Sequence, residues 1–132
     1  MKTGKMIWII LLGFLLTPVF AEGQNPRKYY KTGDDFFETK NYLDAIDQYT
    51  RAIEMDPDFT KAYLARATAY EQIDSLEQAA MDYKRASVFL NKDDEVHYHA
   101  GRLFNDIGSY HDALYMLNKA TSISRRNTPC SG

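Results

Sequence analysis

The chain has 132 residues, and its 18 Asp and Glu against 16 Lys and Arg give a formal net charge of −2. Acidic and basic residues are interspersed, which excludes the basic stripe expected of a nucleic-acid-binding surface. The single cysteine, Cys130, excludes an internal disulfide. An odd cysteine in an exported chain indicates a free thiol or an intermolecular bridge.

The first predicted element is a secretory signal peptide at residues 1–21. It begins with Lys2 and Lys5, continues with an apolar run and ends in the small residue Ala21, the order typical of a cleavable signal. We expect cleavage after Ala21, with Gly23 as the second choice, and a mature net charge of −4 because only the two lysines are lost. The alternative is an uncleaved membrane anchor, although the apolar run is shorter than the roughly 18 residues that a spanning helix needs.

Six helices are predicted in the rest of the chain. Apolar residues recur at helical spacing in pairs of runs, and residues favoured at helix N-caps, Asn41, Ser75 and Ser109, begin every second run. Ser75 with Gln78 is a capping-box pair, and Pro26 suits the first turn of the opening helix. The predicted helices cover residues 27–39, 42–55, 60–73, 76–89, 94–107 and 110–123.

These helices repeat with a period of 34 residues and no insertion. When the sequence is shifted by that step, small residues coincide with small residues and aromatic residues with large apolar ones. The coinciding small residues are Gly33, Ala67 and Gly101, then Ala45, Ala79 and Ala113, then Ala52, Ala86 and Ala120. A fixed period in this range is typical of a solenoid built from one helix–turn–helix unit rather than of a single globular core.

The order of aromatic, small and alanine positions resembles the tetratricopeptide repeat, whose period is also 34. In the first window the matching residues are Tyr29, Gly33, Phe36, Ala45, Tyr49, Ala52 and Pro57. The likeness weakens along the chain, since Asn91 and Arg125 stand where the family has proline. It implies an all-α, right-handed α-solenoid of three stacked helix–turn–helix repeats. The expected organisation is a repeat domain at residues 22–124, with repeats at about 26–59, 60–93 and 94–127, and a disordered tail at residues 125–132.

The resemblance also implies a binding surface. In this family the first helix of each repeat lines a concave groove that binds extended peptides or partner helices. Carried onto this chain, the groove presents Arg27, Tyr30, Asp34, Phe37, Lys61, Leu64, Thr68, Glu71, Glu95, Tyr98, Arg102 and Asn105. Exposed aromatic residues near arginine favour a contact patch. The alternative is that surface helices carry scattered apolar residues without a functional reason.

One subtype of the family is argued against by the residues in the groove. Members that grip the C-terminal carboxylate of cytosolic chaperones do so with lysine, arginine and asparagine. The corresponding positions here hold Tyr30, Asp34, Ala65, Glu95 and His99. We therefore expect that this carboxylate clamp is absent.

No catalytic or metal site is predicted. His97 and His99 are two residues apart, so on a helix they cannot form the i, i+4 pair of a helical metal site. The acidic cluster at residues 93–95 stands at a helix start, where negative charge is favourable. We therefore expect no catalytic residue, no metal, no cofactor and no enzymatic activity.

The sequence predicts a non-catalytic protein–protein interaction scaffold in the bacterial periplasm or cell envelope. Its expected partner is a protein or peptide, with no nucleic acid, and with membrane contact only if residues 1–21 are retained. The alternative is a membrane-anchored or self-associating structural component of an envelope or secretion assembly. Self-association would use the C-terminal helix at residues 110–123, because Tyr115 and Met116 make it more apolar than its counterparts.

Overall fold

The computed structural model describes residues 25–129, which form six α-helices and no strand within that range. They are α1 Pro26–Glu38, α2 Tyr42–Met55, α3 Thr60–Gln72, α4 Leu76–Phe89, α5 Asp94–Asp106 and α6 Tyr110–Asn127. Each helix packs on its neighbours in the chain, and α1 also touches α3. The predicted all-α solenoid of helical repeats is confirmed. The candidate signal peptide and Cys130 lie outside the described residues.

Five helices have the predicted bounds to within one residue, but the last is longer than predicted. Helix α6 continues to Asn127, so the expectation of a disordered tail from residue 125 is wrong for residues 125–127. Arg125 and Arg126 lie in the last turn, where positive charge is favourable next to the unpaired carbonyls of a helix C-terminus. The sequence analysis had ended the helix where the apolar pattern stops.

The turn inside each repeat has the same backbone conformation three times. Lys40, Asp74 and Gly108, which are 34 residues apart, all have positive φ, the left-handed conformation common just after a helix. In the middle repeat the next amide, that of Ser75, donates to the Tyr70 carbonyl over 2.9 Å. This bond closes one helix immediately before the next begins.

The tight turn overturns the predicted capping box. Asn41, Ser75 and Ser109 do occupy the N-cap positions, yet none of their side chains makes the capping hydrogen bond. Their ψ angles lie between 65° and 67°, away from the extended backbone that usually lets an N-cap side chain reach the amides ahead. The bond to the preceding helix fixes this backbone.

Side-chain caps do form where one repeat, or the array itself, begins. Asn25 accepts a hydrogen bond from the Arg27 amide over 2.9 Å, with Pro26 in the first turn as predicted. Asp93 accepts from the Val96 amide over 3.3 Å. The acidic cluster at residues 93–95 is therefore a helix cap and first turn.

Small residues set the spacing of the helices. The repeat alanines of the first two windows, Ala45, Ala52, Ala79 and Ala86, are fully buried. A Cβ on Gly33 would lie only 2.5 Å from Cε1 of Tyr49. Glycine is required there because the neighbouring helix places an aromatic ring directly on the α1 backbone.

One ion pair is buried, and it holds the middle repeat together. The guanidinium of Arg66 on α3 donates to both carboxylate oxygens of Asp82 on α4, over 2.7 and 2.8 Å, and to Oγ1 of Thr50 on α2 over 2.9 Å. Burial opposes the charge on Arg66, but the bonds to Asp82 outweigh it, and the pKa of Arg66 is raised. This bidentate pair links three helices.

Candidate functional site

The first and second repeats enclose a pocket on the face formed by α1 and α3. It has a volume of about 180 Å³ and is lined by Asp34, Phe37, Tyr49, Ala65 and Thr68. We call these five residues the first junction. Asp34 and Phe37 come from α1, Ala65 and Thr68 from α3, and the ring of Tyr49 on α2 lies between them.

A carboxylate stands at this pocket. Asp34 Oδ1 accepts a hydrogen bond from the Tyr49 hydroxyl over 2.8 Å. Burial and this bond raise the pKa of Tyr49 above its usual range, so the phenol keeps its proton and remains a donor. Asp34 is half-buried, while Phe37, Ala65 and the Tyr49 ring provide apolar walls.

The equivalent place between the second and third repeats is filled. The residues 34 positions further on, which we call the second junction, are Thr68, Glu71, Tyr83, His99 and Arg102. Here Tyr83 donates to Glu71 Oε1 over 2.8 Å, and Arg102 Nη2 donates to Glu71 Oε2 over 2.8 Å. His99 stacks on the Tyr83 ring, with centroids 5.3 Å apart.

The second junction is therefore a closed network of charge and hydrogen bonds. Burial and the bond to Glu71 raise the pKa of Tyr83 to about 12, against the smaller opposing effects of Thr68 and Arg102. Arg102 also approaches Asp106, with Nη1 3.7 Å from the carboxylate. The protein itself supplies the cation that this junction needs.

The predicted groove residues do not form one continuous strip. Asp34, Phe37 and Thr68 meet in the first junction, and Thr68, Glu71 and Arg102 meet in the second. Arg27, Lys61 and Asn105 are exposed residues that line neither junction.

Two large side chains were assigned a role that the structure does not give them. Tyr30 and Leu64 are half-buried and pack against the core, the Tyr30 ring lying 5.3 Å from that of Phe59. The interpretation that core packing does not explain them is wrong, because the start of the following repeat covers this position.

Tyr98, the third member of that row, is 53% exposed. With Glu95 it borders a depression at the end of the array together with Ala120 and Ser124 of α6. These two predicted groove residues thus contribute to a terminal face rather than to either junction.

Tyr49, Tyr83 and His99 are the site residues that sequence reasoning missed. The two tyrosines coincide at the 34-residue period and were assigned to packing alone. Their hydroxyls could have been paired with acidic residues by noting that Asp34 and Glu71 follow each other at groove positions. His97, by contrast, is buried, with Nδ1 2.7 Å from the Asp93 carbonyl oxygen, as its predicted packing role implies.

Metal binding and membrane spanning find no support among residues 25–129. No group of three His, Cys, Asp or Glu side chains within that range could hold a metal ion. None of its helices combines the length and apolar character needed to cross a bilayer.

Comparison with known proteins places the same repeat on this chain. A family model described as a TPR repeat matches residues 33–74. Dynein axonemal assembly factor 4 of Rattus norvegicus is 30% identical over 115 residues, which cover 81% of this chain and 27% of that protein. The chain therefore spans about a quarter of the length of this curated relative.

Solved structures share the fold. A crystal structure of MamA protein has a TM-score of 0.73 at 18% identity, over 86% of this chain and 62% of that one. The second TPR of Spaghetti (RPAP3), bound to the HSP90 peptide SRMEEVD, has a TM-score of 0.65 at 24% identity, over 76% of this chain and 93% of that one.

Proposed function

Since the chain is a tetratricopeptide-repeat protein, we propose that it is a non-catalytic scaffold that holds a peptide or helix of a partner protein in its groove. Repeats of this kind mediate protein–protein interaction, and the solved relative above holds a peptide. The observation that carries the proposal is the open first junction, a pocket of about 180 Å³ with an oriented carboxylate and apolar walls. A pocket of this composition suits a side chain of a partner.

The peptide of that relative is acidic, and the groove here does not suit such a ligand. Asp34 and Glu95 stand at two of the positions where carboxylate-binding members have cationic or amide groups, and Ala65 at a third. Like charges facing each other disfavour binding. We therefore infer that the partner differs from the chaperone C-terminus.

A blocking variant tests the scaffold function. Ala65→Trp would fill the first junction, and Met81→Trp is the matched control because Met81 is 55% exposed and lines a depression on another face. With the tagged full chain as bait in its own cells, we expect Ala65→Trp to lose the proteins that the wild type co-purifies, at an unchanged thermal midpoint. Met81→Trp should retain them. Identical partners for wild type and Ala65→Trp would rule out the groove.

We propose that the scaffold acts outside the cytoplasm, in the bacterial periplasm or envelope, because residues 1–21 have the pattern of a signal peptide. The expected mature chain begins at Glu22. Mass spectrometry of the protein from fractionated cells tests this. A mature chain that retains residues 1–21 in the membrane fraction would favour the anchored alternative, and an intact chain in the cytoplasm would contradict export.

Self-association is a second candidate, favoured by the terminal face. Leu114 is 63% exposed, whereas Ala80, its counterpart 34 residues earlier, is fully buried. Tyr98 is likewise exposed where Tyr30 and Leu64 are half-buried. In this candidate, two copies cover these side chains end to end. Sedimentation of the full chain and of Leu114→Glu separates the outcomes: a wild-type dimer that the variant dissociates supports it, and a wild-type monomer at all concentrations removes it.

A further inference from the structure

We propose that the first junction binds an arginine or lysine side chain of the partner peptide, an inference that rests on the groove function proposed above. Asp34 uses Oδ1 to accept from Tyr49. No hydrogen bond from residues 25–129 reaches its Oδ2, and no Lys or Arg in that range lies within 4.0 Å of the carboxylate. The pocket therefore presents an acceptor with no cation of its own.

The second junction shows what completes such a site. All five lining residues of the first junction have their counterparts there, and the counterpart of Thr68 is Arg102. That guanidinium donates to Glu71, which also accepts from the junction tyrosine. The second junction thus combines phenol, carboxylate and guanidinium, while the first has the phenol and the carboxylate only.

Side-chain size explains why the first junction stays open. Ala65 and Thr68 stand where the second junction has His99 and Arg102. The two smaller residues leave the space that the larger ones occupy. A ligand side chain entering from the groove would take the place of Arg102.

The walls of the pocket match a long cationic side chain. Phe37, Ala65 and the ring of Tyr49 offer apolar surface beside the carboxylate. Arginine and lysine carry apolar stems that pack on such surface while the charged end reaches an acceptor. A half-buried carboxylate with one bond already fixed is held in position to accept a charge-assisted hydrogen bond.

Selection from a random peptide library displayed on phage, with the full chain as target, tests the proposal. We expect the selected peptides to share an arginine or lysine at one fixed position. Asp34→Asn keeps the oxygen that accepts from Tyr49 and removes the charge, so it should weaken these peptides about tenfold or more. Asp35→Asn is the matched control, because Asp35 is exposed and absent from the pocket lining, and it should bind as the wild type does.

Replacing the arginine of one selected peptide with citrulline, which has the same shape and no charge, locates the contact. The wild type should lose about tenfold in affinity for the citrulline peptide, and Asp34→Asn should bind both peptides equally. An equal loss on both proteins would place the cation elsewhere and overturn the assignment to Asp34.

The remaining outcomes separate this inference from the function beneath it. Selected peptides without a basic residue would overturn the cationic ligand and leave the groove function intact. A library that yields no binder would overturn both. A wild-type oligomer that Asp34→Asn dissociates, with no binder selected, would assign the pocket to a second copy of the chain and contradict the peptide ligand.

Discussion

The two junctions share one backbone plan and differ in what fills it. In the second junction, His99 and Arg102 close the space around Tyr83 and Glu71. In the first, Ala65 and Thr68 leave a pocket beside Tyr49 and Asp34. Within a repeat array, structural and binding roles can therefore be exchanged by two side chains without a change of fold.

The largest expected effect comes from the middle repeat, on which both junctions are built. Arg66→Ala would leave the carboxylate of Asp82, whose side chain is only 9% exposed, without its partner. We expect a loss of about 3–5 kcal/mol in the free energy of unfolding, measured by urea denaturation.

The third repeat supplies the control for that variant. Its residues at the corresponding positions are Ala100 and Met116, and Met116 is buried. The double variant Arg66→Ala/Asp82→Met copies this apolar pair and should recover most of the lost stability. A double variant no more stable than Arg66→Ala would show that the charge was not the reason for the loss.

A smaller effect is expected from Gly33→Ala, which acts on the first junction alone. The added Cβ would lie 2.5 Å from the Tyr49 ring and force it away from α1. Overpacking costs typically about 1–3 kcal/mol, of which the better helix propensity of alanine recovers up to about 1. We expect a net loss in thermal unfolding experiments and weaker binding of basic peptides.

The counterpart of Gly33 in the second repeat is already alanine, Ala67, and it is fully buried. Ala67→Gly therefore measures helix propensity without a clash, and it should cost about 1 kcal/mol. If Gly33→Ala were more stable than the wild type by the same amount, the contact with Tyr49 would not constrain the junction.

Alkaline pH should reveal the closed network of the second junction. Because the pKa of Tyr83 is raised to about 12 in the folded chain, its contribution to stability is complete below about pH 10 and is lost as the pH rises towards about 12. We expect the wild type to lose about 2 kcal/mol more than Tyr83→Phe over this window. Parallel pH profiles for the two proteins would contradict the role of the phenol.

The smallest change in stability and the sharpest change in binding are expected from exchanging the junctions. Ala65→His/Thr68→Arg gives the first junction the residues of the second, and should abolish binding of basic peptides. His99→Ala/Arg102→Thr does the reverse and should create a second cation site beside Glu71. Arg102 is 41% exposed, so we expect stability to change by no more than about 1 kcal/mol.

Fluorescence polarisation with one labelled arginine peptide and its citrulline analogue compares these two double variants directly. Retained discrimination against citrulline by Ala65→His/Thr68→Arg would show that the pocket is not where the peptide binds.

The fold was predictable because the 34-residue period repeats every packing residue three times. Alanines such as Ala52 and Ala86 are buried where the period places them. The start of each second helix was also correct, although the bonds expected of Ser75 were not, since propensity identifies a cap residue without the backbone angles of a two-residue turn.

The site was less predictable, because the period marks positions and does not say which side chains meet. Asp34, Thr68 and Arg102 occupy one register position, yet one binds a tyrosine, one lines both junctions and one pairs with Glu71. Tyr30 was expected in the groove and is half-buried because Phe59, at the start of the next repeat, covers it. Such contacts depend on the distance between successive repeats, which no single window of sequence contains.

The left-handed residues at Lys40, Asp74 and Gly108 have a consequence for engineering. Every 34-residue segment carries its own bend, so a copy of residues 60–93 inserted after residue 93 would bring its hairpin with it. Such a lengthened array would place the chemistry of its added interface under the designer's choice of four or five side chains. The molecule is in this sense a measured strip that can be extended one notch at a time.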